Sequence, residues 1–160
     1  MKVLLLLLLI ALFSCPLSAQ DNSTIMEPIH ILFEGMKRGD SAMVHSAFRA
    51  NPTMGSVFID KAGQPALKMD GLEGFLKSVG TPHKDVWNEV IWSPKIEVDG
   101  NLAQVWVPYG FFINATFNHC GVDAFHLFKD ASGKWKIFHL VDTRQKEGCN
   151  VPKELSDKLK

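Results

Sequence analysis

The residues of this chain best suited to move protons, attack a substrate or bind metal are six histidines, one tyrosine and three cysteines. His126, His139, Tyr109 and Cys120 all fall in one C-terminal stretch where apolar and polar residues alternate. An imidazole titrates near physiological pH, so His126 or His139 could serve as a general base. Tyr109 could hold a carbonyl or hydroxyl in place. The alternative is a pair of partly buried imidazoles satisfied by backbone, Tyr109 or water. Cys120 with the two histidines has the atom types of a zinc site, but the spacing fits no compact motif, and no metal is expected. A Cys120 nucleophile with a His base is a further option that a disulfide would close. His119 alternates away from Cys120. His30 and His45 lie on helical stretches and His83 follows Pro82, so solvated positions are expected for these.

The chain contains no Gly-x-Ser-x-Gly elbow, P-loop, dinucleotide fingerprint, Cys-x-x-Cys or His-Glu-x-x-His. The commonest hydrolase, nucleotide, redox and zincin chemistries are therefore not indicated, and no cofactor is expected. Lys+Arg equals Asp+Glu at 17 each, so no basic excess is present to neutralise a phosphate backbone, and nucleic acid is not an expected partner. With 160 residues, 46% hydrophobic and 21% charged, the chain has the size and composition of one globular domain.

The first residues have a different purpose. Met1-Lys2 is followed by an apolar run from Val3 to Phe13, shorter than the roughly 20 residues of a membrane-spanning helix. Ser18-Ala19 supplies small residues for cleavage before Gln20, so residues 1–19 read as a secretory signal peptide. Export, to a periplasm or to the medium, is the expected localisation, without membrane insertion once the signal is removed. Leu12-Phe13-Ser14-Cys15 loosely resembles a lipobox, and acylation of Cys15 is the alternative. In an oxidising compartment Cys120 and Cys149 can pair, or they remain separate thiols. Asn22-Ser23-Thr24 and Asn114-Ala115-Thr116 match the glycosylation sequon, which matters only in a host that glycosylates exported proteins.

The elements that must position these side chains follow from hydrophobic period. Ile25, Ile29, Leu32, Phe33 and Met36 recur at helical spacing, and Gly39-Asp40 ends that helix and caps a second with Val44, Ala47 and Phe48 inward. Asn51-Pro52 breaks it. Residues 55–59 and 65–69 read as a small hairpin, and Leu72, Phe75, Leu76 and Val79 as the inner face of a third helix. Four antiparallel strands are expected at 86–98, 101–113, 116–129 and 134–143, divided by Asp99-Gly100, Asn114-Ala115 and residues 130–133. Helices first and a meander after give an α+β domain over residues 20–149, with a polar tail at 150–160.

Opposed residues of a hairpin share a face. Two-residue and four-residue turns at 114–115 and 130–133 place Ala103, Cys120 and Val141 on one face with the expected ligand pocket: Val105, Val107, Tyr109, Val122, Ala124, His126, Phe128, Trp135, Ile137 and His139. In that register His126 and His139 are diagonal neighbours about 7–8 Å apart. The other face carries Gln104, Asp123 and Asp142 together with Trp106, Phe125, Leu127, Phe138 and Leu140. Those last five form an apolar patch too large to leave in water, and a second copy of the chain is the simplest cover. A one-residue bulge, at Gly121 or Ser93-Pro94, would exchange the faces beyond it.

The layout, and the closing hairpin from Phe125 to Thr143 with its Gly-Lys-Trp-Lys-Ile turn, resembles the nuclear transport factor 2-like superfamily. It is similar in particular to small bacterial SnoaL-like and lumazine-binding-like members. The resemblance covers residues 24–145 and implies a cystatin-like cone: three helices in the concavity of a strongly curved sheet, a site at the open end, and a homodimer through the outer sheet face. Enzymatic relatives such as ketosteroid isomerase and scytalone dehydratase place a carboxylate or His dyad there, with a Tyr as donor. Tyr109, His126 and His139 are the available types here, and no inward Asp is evident. The expected function is the binding of a small, mainly apolar molecule in the cavity. Cofactor-free acid–base catalysis and a dimeric interaction module with a filled cavity are the alternatives.

Overall fold

A computed structural model describes residues 22–159; the expected signal peptide, Cys15 and the expected cleavage site before Gln20 lie outside them. Helix α1 (Ser23–Arg38) ends where Gly39 takes a left-handed φ of 66° and its amide returns to the last turn. The Asp40 carboxylate accepts from the Met43 amide and starts α2 (Ser41–Ala47). Strand β1 (Phe48–Ile59) follows at once and turns back as β2 (Pro65–Asp70), and α3 (Leu72–Gly80) then crosses the opening. The remainder is β3 (Trp87–Ile91), β4 (Lys95–Asp99), β5 (Leu102–Ile113), β6 (Thr116–Lys129), β7 (Trp135–Arg144) and a short α4 (Lys153–Asp157).

The seven strands form one sheet in the order β2-β1-β7-β6-β5-β3, with β4 also on β5. Every pairing is antiparallel except β1 with β7. The sheet is mixed because β1 is laid down between helices, before the meander, and then receives the last strand alongside it. Two elements differ from expectation. The strand expected at 86–98 is two strands, because Ser93, at φ 46°, and Pro94 interrupt the ladder while both halves still pair with β5. Phe48 belongs to β1 rather than to α2, and Asn51, at φ 53°, lies within the irregular stretch of that strand.

Helix α1 lies in the concavity. Ile25, Ile29 and Leu32 bury against Ala103, Val105, Val107, Phe125, Leu127, Trp135 and Ile137, and the Phe33 ring meets Phe125 edge-on at 6.2 Å. The inner face of β5 is the expected one. The inner faces of β6 and of part of β7 are not, because each hairpin contains one extra residue. Phe112 pairs with Phe117 but Phe111 pairs with His119, so Asn118 is a bulge. Leu127 pairs with Ile137 but His126 pairs with His139, so Phe138 is another, and Lys129 pairs with Trp135 rather than Lys134. Neither bulge is at Gly121 or Ser93-Pro94. From Asn118 onward the faces exchange, and Asp123, Phe125 and Leu127 turn inward while Val122, Ala124, His126 and Phe128 turn outward.

Gly121 sits opposite Tyr109, where a Cβ would fall 1.8 Å from the Thr143 carbonyl oxygen, so only glycine fits this approach of β7. Cys120 and Cys149 are joined in a disulfide with Cα atoms 6.0 Å apart. The bond holds the C-terminal segment on the sheet, where Val151 packs over Gly110 and Leu159 reaches the edge beside α1.

Candidate functional site

Between the sheet, α1 and α3 an open cavity of about 610 Å³ remains. One side is apolar: Leu32, Phe33 and Met36 from α1, Phe75 from α3, Trp87 and Phe111 from β3 and β5, and Leu140 from β7. The other side is a set of polar groups on five strands: Ser56 on β1, Glu89 on β3, Tyr109 on β5, Asp123 on β6, and Asp142 and Arg144 on β7. Pairing brings them together. Asp123 is directly opposite Asp142, Tyr109 is two residues along β5 from Val107, the partner of Asp123, and Glu89 is opposite Phe111. Glu89 also borders a shallower hollow of about 260 Å³ beside α1 that Leu159 helps to line.

The three carboxyl groups are in different states. Asp142 is fully engaged: Ser56 Oγ donates to its Oδ1, Arg144 Nε donates to its Oδ2 at 2.7 Å, and the Tyr109 hydroxyl lies 3.1 Å from Oδ2. The same hydroxyl is 2.9 Å from the Thr143 carbonyl, the oxygen that Gly121 admits. Burial and the charge of Asp142 push the Tyr109 phenol far up, so it stays a neutral donor.

Glu89 and Asp123 lie within hydrogen-bonding reach of each other, and two carboxyls can form that bond only when one carries a proton. Burial pushes Glu89 from the ordinary 4.5 up to about 7, with Asp142 adding to the rise and the bond to Asp123 opposing it. Asp123 is only 3% exposed and is pushed well above its usual range, first by burial and then by the charge of Glu89. Its Oδ2 is buried with no hydrogen-bond partner. Beside the cluster, His119 packs edge-on to Tyr109 at 5.6 Å, and burial, reinforced by Arg144, lowers it to about 4, so it is neutral at pH 7.

Of the expected site residues the structure places Tyr109 in the cavity. Val105, Val107, Trp135 and Ile137 face inward but are consumed in the core beneath α1. Val122, Ala124, His126, Phe128 and His139 lie on the outer face, against the expectation that they line the pocket. The imidazoles of His126 and His139 are adjacent there, 5.2 Å apart, beside Phe138. The expected dimer face divides likewise. Trp106 and Phe138 are outside, but Phe125 and Leu127 are core residues at 1% and 0% exposure, and Leu140 lines the cavity. Asp123 and Asp142, expected outside, are inside. Glu89 was not singled out in the sequence. Its signal is a lone carboxylate between Trp87 and Ile91, on the alternate positions of an otherwise apolar strand face. Among the described residues no group of three His, Cys, Asp or Glu side chains is placed to hold a metal ion, and no helix is long and apolar enough to cross a membrane.

The fold recurs in solved structures. A protein of unknown function from Shewanella baltica superposes with a TM-score of 0.57 at 19% identity, over 78% of this chain and 93% of that one. A protein with a cystatin-like fold from Nostoc punctiforme gives 0.62 at 12% identity, over 81% and 95%. A Salmonella enterica nuclear transport factor 2-like protein gives 0.57 at 19%, over 80% and 94%. The chain has the nuclear transport factor 2-like fold. No family model matches the sequence, and no curated protein matches it. In this chain the polar groups of the cavity include the carboxyls of Glu89, Asp123 and Asp142.

The carboxyl pair makes stability depend on pH. Glu89 keeps a proton in the folded protein that the unfolded chain releases near pH 4.5, so its contribution favours folding at low pH and is lost as pH rises through about 7. His119 acts in the opposite sense, favouring folding above 6.5 and losing that contribution as pH falls through about 4. Comparing the wild type with Glu89→Gln cancels the histidine. Urea unfolding should show the difference moving against the wild type as pH rises from about 5 to about 7, by up to about 1.4 kcal/mol per pH unit. A pH-independent difference would mean that Glu89 is already ionised in the fold.

Proposed function

We propose that this is an exported, homodimeric nuclear transport factor 2-like protein whose cavity holds a small, mainly apolar molecule by its polar end. The observation that carries this is the cavity itself. At about 610 Å³ it is within the range of small-molecule sites, and a continuous apolar wall faces a few convergent polar groups. An interior filled by its own side chains would favour a purely structural module, and this one is open.

A direct test uses 2-naphthol as probe. At 100 times its Kd a ligand of the folded state adds about 2.7 kcal/mol of stability, readable as a thermal shift. A Cβ on Gly74 of α3 meets nothing within 4 Å, so Gly74→Trp can place its ring in the cavity without disturbing the fold. Binding should disappear in Gly74→Trp while the unliganded melting temperature holds. Undiminished binding would put the probe elsewhere.

The shared proton of Glu89 and Asp123 favours one further use of the same site, cofactor-free acid–base catalysis. The carboxylate of one takes a proton from carbon as the carboxyl of the other donates to the developing oxyanion. In D₂O, 2-tetralone would then exchange its C1 protons faster than in buffer, and Glu89→Gln would abolish the excess while retaining affinity. Exchange at the buffer rate leaves the protein a binder.

Dimer formation is proposed through the outer face, which carries Trp106 at 51% exposure and the partly exposed Phe128 and Phe138. Export rests on the apolar leader ending at Ala19. Protein recovered from the cell envelope or medium should have the intact mass of a chain beginning at Gln20 and sediment as a dimer, and Trp106→Glu should sediment as a monomer. A retained leader would refute export, and the mass of a single chain for the wild type would refute the dimer.

A further inference from the structure

Building on the cavity-binding role proposed above, the geometry points to an ammonium group as the polar end of the ligand: a primary amine on an apolar body, seated between Glu89 and Asp123 against Trp87 and Phe111. Three observations lead there. The first is Asp123, a carboxyl on the wall of the open cavity whose Oδ2 is buried without a hydrogen-bond partner, so a ligand donor reaches that oxygen once the side chain turns toward the cavity. A buried acceptor left unpaired is expensive, and a donor brought by a ligand removes that cost.

The second is charge. The cavity brings together the carboxyls of Glu89, Asp123 and Asp142 with the guanidinium of Arg144, which is bonded to Asp142, while the other cation on the cavity wall, Lys68, is paired with Asp70 at 2.9 Å. Glu89 and Asp123 thus have no cation of their own in the cluster, and they repel each other unless a proton or another positive group lies between them. A carboxylate or phosphate on the ligand would meet this pair and be rejected. A metal ion would lack its third protein ligand among the described residues.

The third is the wall. Phe111 is the strand partner of Glu89, and Trp87 is two residues away on the same face of β3, with the two rings 6.3 Å apart, edge to face. Aromatic faces beside a carboxylate pair are the surroundings in which a desolvated ammonium gains most. Replacing the shared proton by an ammonium satisfies Oδ2, separates the like charges and releases that proton to solvent.

The test is a matched series on the intact mature protein: octylamine, octanol and octanoate, measured by calorimetry near pH 7. Octylamine should bind at least tenfold more tightly than octanol, and octanoate more weakly than either. Glu89→Gln and Asp123→Asn should each lower octylamine affinity tenfold or more and leave octanol affinity within a factor of about two. Octanol binding also confirms that each variant is folded, and should Asp123→Asn fail to fold, Glu89→Gln alone decides. In buffers of different ionisation enthalpy, octylamine binding should release protons, against Asp142, Arg144, Tyr109 and His119, and Lys68 and Asp70 on β2, as the other titratable groups of the cavity. Equal affinity for amine and alcohol, preference for octanoate, or amine binding indifferent to both substitutions would overturn the ammonium site and leave the apolar cavity standing. Failure of all three compounds to bind would overturn both.

Discussion

Strand parity is the constraint on which the cavity depends. A strand shows alternate side chains to opposite faces, so one extra residue in a hairpin transfers every later side chain to the other side. Asn118 in β6 and Phe138 in β7 are two such residues. Between them lies the segment that carries Asp123, Phe125 and Leu127 inward. The first bulge brings Asp123 to the same face as Tyr109. The second lets Leu140 and Asp142 face inward near the open end while Ile137 and Trp135 face inward beneath α1. Without the second, one half of β7 would present its polar side to the helices. The pair of bulges lets a single curved sheet be apolar at its closed end and polar at its open end.

The polar end is costly in itself. Taking a carboxylate out of water is unfavourable unless donors replace the lost hydration. Asp142 has three, from Ser56, Arg144 and Tyr109, and they come from three different strands. It therefore locks β1, β5 and β7 together at the open end, and the Thr143 carbonyl that Gly121 admits gives the Tyr109 hydroxyl a second acceptor. Asp123 has no such set. Its neighbour is another carboxyl, and its buried Oδ2 has no hydrogen-bond partner. Two carboxyls on paired positions of neighbouring strands are thus put to different uses: one organises the strands and the other keeps a buried oxygen unpaired. A protein that needed only stability would gain by an apolar residue at 123, because a buried, half-satisfied polar group is worse than none.

Much of this was legible in the sequence, and the boundary of legibility is physical. Helical period located α1, α2 and α3, and the Asp-Gly and Asp-Ala-Ser-Gly turns located the meander. The resemblance of the closing hairpin gave the cone. The inner face of β5 could be read because Ala103, Val105, Val107 and Tyr109 alternate with Gln104 and Trp106. The bulges could not. Each costs one unpaired residue and needs no glycine or proline, so Asn118 and Phe138 look like any strand residues. The error then spread by parity to His126, His139, Phe125, Leu127 and the two aspartates together. Apolar content offered no correction, since β6 is nearly as apolar on one face as on the other: Val122, Ala124 and Phe128 against Phe125 and Leu127. The lone polar residue within each stripe is the better guide. Asp123 and His126 mark opposite faces, and only the helices determine which is enclosed.

The relocation of the imidazoles changes the chemistry available to the site. A histidine pair would offer neutral bases and lone-pair acceptors, suited to ligands that give or take one proton near pH 6. The carboxyl pair offers negative charge in a space that Phe33, Trp87 and Phe111 keep apolar. Low local polarity strengthens any contact with a positive group and equally penalises leaving the pair without one. His119, the one imidazole that lines the cavity, is held neutral by burial and by Arg144 and adds no competing cation. Selectivity in such a site comes from the cost of mismatch. A ligand that brings no donor leaves Asp123 Oδ2 as it found it, and one that brings an anion adds a third like charge to two that already share a proton.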